Sequence, residues 1–382
     1  MATSVQVAGA RGDAATQPPV PPAPDPGRDH AAALGLSGQR RRAVWWIGGL
    51  AVALVVTVLG GVGAGAVPVS PATVAQIIGH HVMGVPGEAT WTGAQDAIVW
   101  DVRLPRVLLG VFVGAGLAVS GMALQAMVRN VLADPYLLGV NSGASSGAAA
   151  AILFGVGAGL GQHALPLSAF LGALAASMLV YAIARTGGRV TSVRLLLAGV
   201  AVGYALYAVT SFLIFASGSA EGARSVMFWL LGSLSLAQWG APLAGVAVVG
   251  TLTVVLLTAL GRRVDALAIG DETAHTLGIS PHVLRTGLLA LVALCIGVLV
   301  AASGSIGFVG LVVPHLARRV VGAAHARAVP VAALMGAVFL VWADVAARTM
   351  LPPQEIPIGI LTALVGAPFL LVLVRRMHAT ST

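Results

Sequence analysis

The chain has no lysine; all 21 basic residues among its 382 are arginine. A phosphate-binding P-loop, G-x-x-x-x-G-K-[ST], needs that lysine to reach the terminal phosphates. The chain therefore carries no standard ATPase site of its own. Cysteine is nearly as scarce: Cys295 stands alone in an apolar run, which excludes an intrachain disulfide and a cysteine-built metal centre. Charge is thin as well, at 9% of residues against roughly 25% in ordinary soluble domains. Aromatic residues reach only 5%.

What is present is apolar and small. Apolar residues make up 58% of the chain, with 49 glycines, and the mean hydropathy is +0.94. This is the composition of a polytopic membrane protein whose helices approach closely through small residues. The net charge of +8 could suggest nucleic acid. The arginines, however, sit at the ends of apolar runs, where they act as topology signals, so no nucleic-acid partner is expected.

Residues 1–39, with QPPVPPAPDPG at their centre, have no apolar period and are expected to form a disordered cytoplasmic tail. Arg40, Arg41 and Arg42 then precede an apolar run. A cleaved signal peptide is the rival reading of that run, but the long preceding tail argues for a retained first helix. The GGVGAG within it lacks the strand and the later acidic partner of a dinucleotide loop. At about 20 apolar residues per span, ten spans are expected: 44–67, 104–127, 136–157, 164–184, 193–217, 240–260, 282–302, 307–321, 328–350 and 357–374. The eighth is short and broken by Gly307, Gly310 and Pro314. With both termini in the cytoplasm, fifteen arginines from Arg40 onward fall on inner segments and only Arg103, Arg106, Arg224 and Arg348 on outer ones, as the positive-inside rule requires. The expected fold is thus all-α, with residues 40–378 as one transmembrane domain.

One inner loop stands out. GDETAHTLG, residues 270–278, gathers Asp271, Glu272 and His275 between two long apolar runs. Asp271 is expected to cap a short helix, Glu272 to lie in its first turn and Gly278 to take the left-handed stop. Ser280 and Pro281 restart the next helix as cap and first residue. Leu267, Ala274 and Leu277 share one face of this segment, with the polar residues on another. It is either a solvated connector or a docking surface.

Other polar residues are ambiguous. Adjacent His80 and His81 point apart in most backbone conformations and make a poor pair of ligands for one metal. His315 fits a packed helix residue better than a ligand. Gln125, Asn141 and Ser142 suit a pore lining or interhelical hydrogen bonds equally.

Seven stretches in order resemble the permease subunit of FecCD-type ABC importers, the family that moves iron-siderophore complexes, haem and cobalamin. They are RLPR at 103–106, SGMALQAMVRNVLADPYLLGVNSGA at 120–144, RLLLAGVA at 194–201, FWLLGSL at 228–234, GDETAHTLG, GSIGFVGLVVPHLAR at 304–318 and EIPIGILTALVGAPFL at 355–370. The resemblance implies a homodimer of twenty helices, or a pair with a homologous permease, in the bacterial inner membrane. It implies two separate ATPase chains, which bind ATP and magnesium, and an extracytoplasmic substrate-binding protein; this chain itself is expected to be no enzyme and to hold no cofactor or metal.

The same resemblance makes residues 267–278 a coupling helix for the ATPase, with Leu267, Ala274 and Leu277 as its apolar contact, Asp271, Glu272 and His275 as its polar rim, and Gly278 as its stop. Arg103, Arg106 and Arg348 match positions presented to acidic groups of the binding protein, as planar guanidinium groups suit paired carboxylate bonds. Arg348 could equally pair with Asp344 at i, i+4. Asn130 and Leu132 match a cytoplasmic gate and Ser192 a second constriction, although Val131 stands where the family usually has proline. A ferric siderophore is the preferred cargo. Two rivals remain. A proton-coupled secondary transporter would need a relay of ionisable groups, for which the spans offer little beyond Asp344 and His315. A membrane-embedded transferase would need clustered acids for metal and phosphate, and no such cluster appears.

Overall fold

Apolar runs that lack internal water partners must close their own backbone hydrogen bonds, and this chain does so almost entirely as helix. The computed structural model describes residues 36–186 and 189–379. The tail expected over 1–39 lies, up to residue 35, outside the described residues. From Arg40 onward the chain forms one packed unit.

The helices are α1 (Leu36–Gly63), α2 (Pro71–Met83), α3 (Gly93–Ala97), α4 (Leu104–Val128), α5 (Val140–Phe154), α6 (Ala164–Ala184), α7 (Ser192–Ala216), α8 (Ala220–Leu230), α9 (Ala241–Ala259), α10 (Gly261–Ile269), α11 (Asp271–Thr276), α12 (Pro281–Ser303), α13 (Val309–Val321), α14 (His325–Thr349) and α15 (Ile358–Ala379). A π-helical turn, Ile98–Arg103, joins α3 to α4. A two-residue antiparallel pair, β1 (Arg185–Thr186) and β2 (Arg189–Val190), precedes α7. Among the described residues, seven helical stretches are long and apolar enough to cross a membrane. These contain α1, α3 with α4, α6, α7, α9, α12 and α14. Of the other expected spans, α5 has 15 residues and α13 has 13, and the apolar part of α15 is Ile358–Leu373.

α4 is the axis of the fold, packed against α14, α9, α13 and α12. Its most apolar window is 78% buried, whereas that of α1 is 11% buried and so lies at the periphery. Close approach depends on glycine at two crossings. A Cβ on Gly121 of α4 would come within 1.8 Å of the Gly310 carbonyl on α13, and one on Gly143 of α5 within 2.3 Å of the Gly172 carbonyl on α6. Gln125, one turn beyond Gly121, fastens the first crossing: its Nε2 donates to Gly310 O (3.3 Å) and its Oε1 accepts from Arg318 (2.5 Å). It acts as interhelical glue.

Of the three residues expected to break the eighth span only Gly307 lies in a break, while Gly310 and Pro314 lie inside α13. Residues 304–308 are not helical, and Phe308 starts α13 in the left-handed region at φ 68°. Tyr136 repairs the break, its hydroxyl donating to Ile306 O (2.8 Å) and accepting from Ile306 N (2.9 Å).

Several short elements lie outside the expected spans, α2 and α8 among them. α2 forms between the first two expected spans, capped by Ser70, whose Oγ accepts from Thr73 N, and stopped by Gly84 at φ 71°. α8 is capped by Ser219, which accepts from Gly222 N. One face of α7, bearing Tyr204, Tyr207, Phe212 and Phe215, has no neighbour and is exposed.

Candidate functional site

The residues singled out by sequence gather at the two ends of α4. At its N-terminal end, Arg103 and Arg106 are buried, and a buried guanidinium must find acceptors. Arg103 finds them at the end of α1, donating to Val62 O and Gly63 O (3.1 Å each) and to Val67 O (2.7 Å). The last carbonyls of a helix have no donor within it and form the negative end of its dipole. Arg348 reaches the same terminus from α14, donating to Ala64 O at 3.0 Å and to Gly61 O. Arg106 lies between two carboxylates, bonding both oxygens of Asp344 (2.9–3.1 Å) and both of Glu355 (2.9 and 3.0 Å). Asp344 also lies 3.4 Å from Arg348 Nε, the i, i+4 pair anticipated from sequence.

This corrects the expectation of three exposed arginines: Arg103, Arg106 and Arg348 are tied inward because the α1 terminus and Asp344 supply acceptors that an α4–α14 contact can reach. They still share a small cavity of about 190 Å³, bounded also by Glu355, Pro352 and Pro353. Glu355 is its accessible charge, with a side chain 47% exposed against 2% for Asp344. Beside it opens a larger cavity of about 890 Å³, where Phe228, Trp229, Trp239, Gln162 and His163 surround the Arg106–Asp344–Glu355 network.

The two adjacent histidines do not point fully apart as expected, since their rings meet edge-on with centres 5.7 Å apart, but each is engaged by a different partner. His80 Nδ1 donates to Pro86 O (2.7 Å), while His81 bonds Asp96 (3.0 Å) and stacks on Trp100 with ring centres 4.1 Å apart. His315 meets Phe369 edge-on. Among the described residues, no three His, Cys, Asp or Glu side chains are placed to share a metal ion.

At the other end of α4 lies the charged loop. α11 covers Asp271–Thr276, with Gly270 rather than Asp271 at the cap position. Asp271 is the first helical residue, and its carboxylate is occupied elsewhere. The stop is as expected: Gly278 takes φ 73°, its N–H bonds His275 O (2.9 Å), and Ile279 N bonds Ala274 O (2.9 Å). This pair of bonds is a Schellman motif. Ser280 and Pro281 hold the cap and first positions of α12, although the Ser280 side chain makes no capping bond.

The apolar face is divided. Leu267 and Ala274 are 0% exposed and pack into the chain itself, whereas Leu277 is 64% exposed. Only Leu277 of the three is available to a partner, flanked by exposed Glu272 and His275. The reason is α10, whose Val264 and Leu267 bury against the bundle and carry Ala274 inward with them. Exposed Ile269 and Val283 extend the patch. Sequence missed these two because each lies at a helix end, Ile269 before Gly270 and Val283 in the first turn of α12, where periodicity does not say which side is covered.

Asp271 lies 2.9 Å from Arg285 and 3.5 Å from Arg129. Burial alone would raise the Asp271 carboxyl. The hydrogen bond and charge of Arg285, with the charges of Arg129 and His275, outweigh it and hold the group below its ordinary value. Arg285 is itself buried and also donates to Val190 O (3.1 Å). Sequence marked Arg129 and Arg285 only as topology signals.

The residues expected to form a gate are neighbours here. Ser192 Oγ donates to Met127 O (2.9 Å) at the end of α4, and Asn130 Oδ1 accepts from Leu132 N (2.9 Å). That bond closes an Asx turn over Val131, giving the loop a local constraint where proline was missed. Asn130 is exposed and Leu132 partly so.

Comparison with known proteins adds an independent line. Residues 52–376 match the model of the FecCD transport family. The cobalamin import system permease BtuC of Halobacterium salinarum is 46% identical over 292 residues, 76% of this chain and 75% of that protein. The hemin transport system permease HmuU of Yersinia pestis is 42% identical over 294 residues, 75% of this chain and 86% of that one. The Fe(3+) dicitrate permease FecD of Escherichia coli is 40% identical over 306 residues, 78% of this chain and 92% of that one. A solved ABC transporter chain, assigned to the metal-chelate type and inward-facing, superposes with a TM-score of 0.75 at 34% identity, covering 86% of this chain and 98% of its own.

Proposed function

Because the chain belongs to the FecCD transport family, we propose that it is the membrane permease of an ABC importer, carrying a metal chelate or a tetrapyrrole-type cofactor across the bacterial cytoplasmic membrane. Relatives named for cobalamin, hemin and ferric dicitrate bound the cargo class. Within it a ferric siderophore is our first choice.

The observation that carries the reading is the docking patch at the inner end of α4, where Ile269, Glu272, His275 and Leu277 stand exposed on a rigidly stopped loop. A chain without a P-loop lysine needs its ATP hydrolysed elsewhere, and this patch suits an ATPase partner binding ATP and magnesium. Ten spans, including the short α5, α13 and α15, put both termini and this patch in the cytoplasm. The exposed face of α7, with tyrosines in mid-span, suits a second copy or a homologous permease across a water-lined path better than lipid. The cavity bounded by Arg103, Arg106, Arg348 and Glu355 then faces outward, and a binding protein would dock over it. The proton-relay alternative finds no support in Asp344, which is bound to two arginines, or in His315, which packs on Phe369.

The test is ATP turnover by the purified chain alone and after co-expression with a partner ABC ATPase, in lipid vesicles. Hydrolysis is expected only in the complex. Hydrolysis by the isolated chain, or uptake driven by a proton gradient without ATP, would overturn the reading. The cargo is tested by binding of ferric siderophores, hemin and cobalamin to the partner binding protein.

A further inference from the structure

Asp271 holds two arginines of different standing. Arg285 is anchored in the bundle: its side chain is 2% exposed, and besides Asp271 it bonds Val190 O at 3.1 Å and Met127 O at 3.4 Å. Arg129 is 41% exposed and stands where α4 ends, immediately before Asn130. Its backbone is left-handed, φ 52° and ψ 40°. L-residues avoid that region, and a helix end of this kind ordinarily uses glycine. An arginine in glycine's conformation is strained unless its side chain returns something, and here the guanidinium reaches Asp271. From Arg129 the chain passes directly into the Asx turn of Asn130 and Leu132, and Ala133 N bonds back to Asn130 O (3.1 Å). One carboxylate on the docking loop thus touches both the bundle and the residue that begins the gate loop.

We propose that Asp271 is a positioning residue that ties the docking loop to the Asn130–Leu132 loop through Arg129, so that a displacement of α11 by its partner is delivered to the gate. This rests on the importer reading for its meaning, though the tie itself belongs to the chain. Arg285 is the fixed end and Arg129 the moving end. A displacement of α11 changes how the carboxylate is shared between them and pulls on a backbone already held away from its preferred conformation.

Two measurements test it. With the chain alone in lipid nanodiscs, hydrogen exchange of the Asn130–Ala133 amides is followed in Asp271→Asn, Arg129→Gly and the double variant. Each single change is expected to speed exchange about tenfold, and the double no more than either, as for one shared interaction. Arg129→Gly is the discriminating variant. It suits the left-handed backbone better than arginine, so a merely structural cap would be preserved or improved by it. Unchanged exchange in either single variant, or additive effects in the double, overturns the tie.

The second measurement uses Val131→Cys as a reporter, since native Cys295 is buried and silent to a polar maleimide. In complex with the ATPase, ATP with magnesium is expected to change the labelling rate about tenfold. In the Arg129→Gly background the complex should still assemble and hydrolyse ATP while that change falls below about twofold. A change that survives the substitution overturns the tie, as does loss of assembly. Absence of any ATP response with Asp271 and Arg129 intact tells against the importer reading instead, and leaves the exchange experiment to decide the tie.

Discussion

The two ends of α4 solve the same problem in opposite ways. Each gathers arginines around carboxylates, and the two groups are separated by a helix of 25 residues, about 37 Å of rise. At the N-terminal end, Asp344 is 2% exposed and serves Arg106 and Arg348, while Arg103 and Arg348 close the terminus of α1. At the C-terminal end a half-exposed Asp271 is shared between a buried arginine and an accessible one. The first cluster is a bolt and the second, on our proposal, a coupling, and the difference lies in solvent access rather than in residue type. Buried ion pairs are costly to break because the survivor stays charged and dry. Half-exposed ones exchange readily with water.

That contrast can be broken in four places. The largest effect is expected for Asp344→Ala, which leaves Arg348 with the α1 carbonyls alone and Arg106 with Glu355 alone; a loss of about 3–5 kcal/mol should appear as a lowered unfolding midpoint in detergent. If Asp271→Ala costs as much, the bolt and the coupling are not different in kind. Next is Arg103→Met, which keeps the apolar stem but removes the side-chain donor from Val62 O and Val67 O and leaves Gly63 O with Val69 N alone. About 1–3 kcal/mol is expected, with faster hydrogen exchange confined to the end of α1 and residues 64–67. Exchange spread over the whole chain would show that Arg103 does more than close that terminus.

Leu277→Asp should alter stability by no more than about 0.5 kcal/mol, because the side chain is already in solvent, yet abolish co-purification of the ATPase. Retained assembly would remove Leu277 from the docking patch. The smallest effect is expected from pH. Asp271 is held below its ordinary value near 3.8, so the stabilisation from its ionised form is fully present above that value and is lost only as pH falls through the lower, folded one. Exchange protection of Asn130–Ala133 should therefore be level from neutral pH down to about 5, once corrected for the intrinsic pH dependence of exchange. A transition near neutrality would show that Asp271 does not carry the linkage.

Sequence reached the all-helical, multi-span character of the chain because a membrane leaves few choices: apolar length gives helices. It also reached Gly278 as a left-handed stop and Arg348 with Asp344 as an i, i+4 pair, since both depend on local geometry alone. It misplaced Leu267 and Ala274 because periodicity reveals that a face is apolar without revealing whether the occupant is another protein or the chain itself. Arg103 and Arg106 were expected in solvent for a related reason. Their acceptors, the end of α1 and Asp344, lie about 40 and 240 residues away, beyond any spacing rule. α2 is legible in principle, as Ser70, Pro71 and Gly84 carry ordinary helix start and stop signals, but 13 residues between two longer apolar runs are too few to register as a span.

The hydroxyl of Tyr136 has a consequence for how this chain can vary. An interruption of a helix at membrane depth frees peptide groups that lipid cannot solvate, so the unwound stretch 304–308 can exist only at the height where the phenol of a different segment arrives. Insertion of one residue on either side would slide the donor past its acceptor. The lengths of two segments separated by some 170 positions are therefore under a common constraint, and a change in one is tolerable only with a matching change in the other. Phenylalanine at position 136 would keep the ring and lose the match.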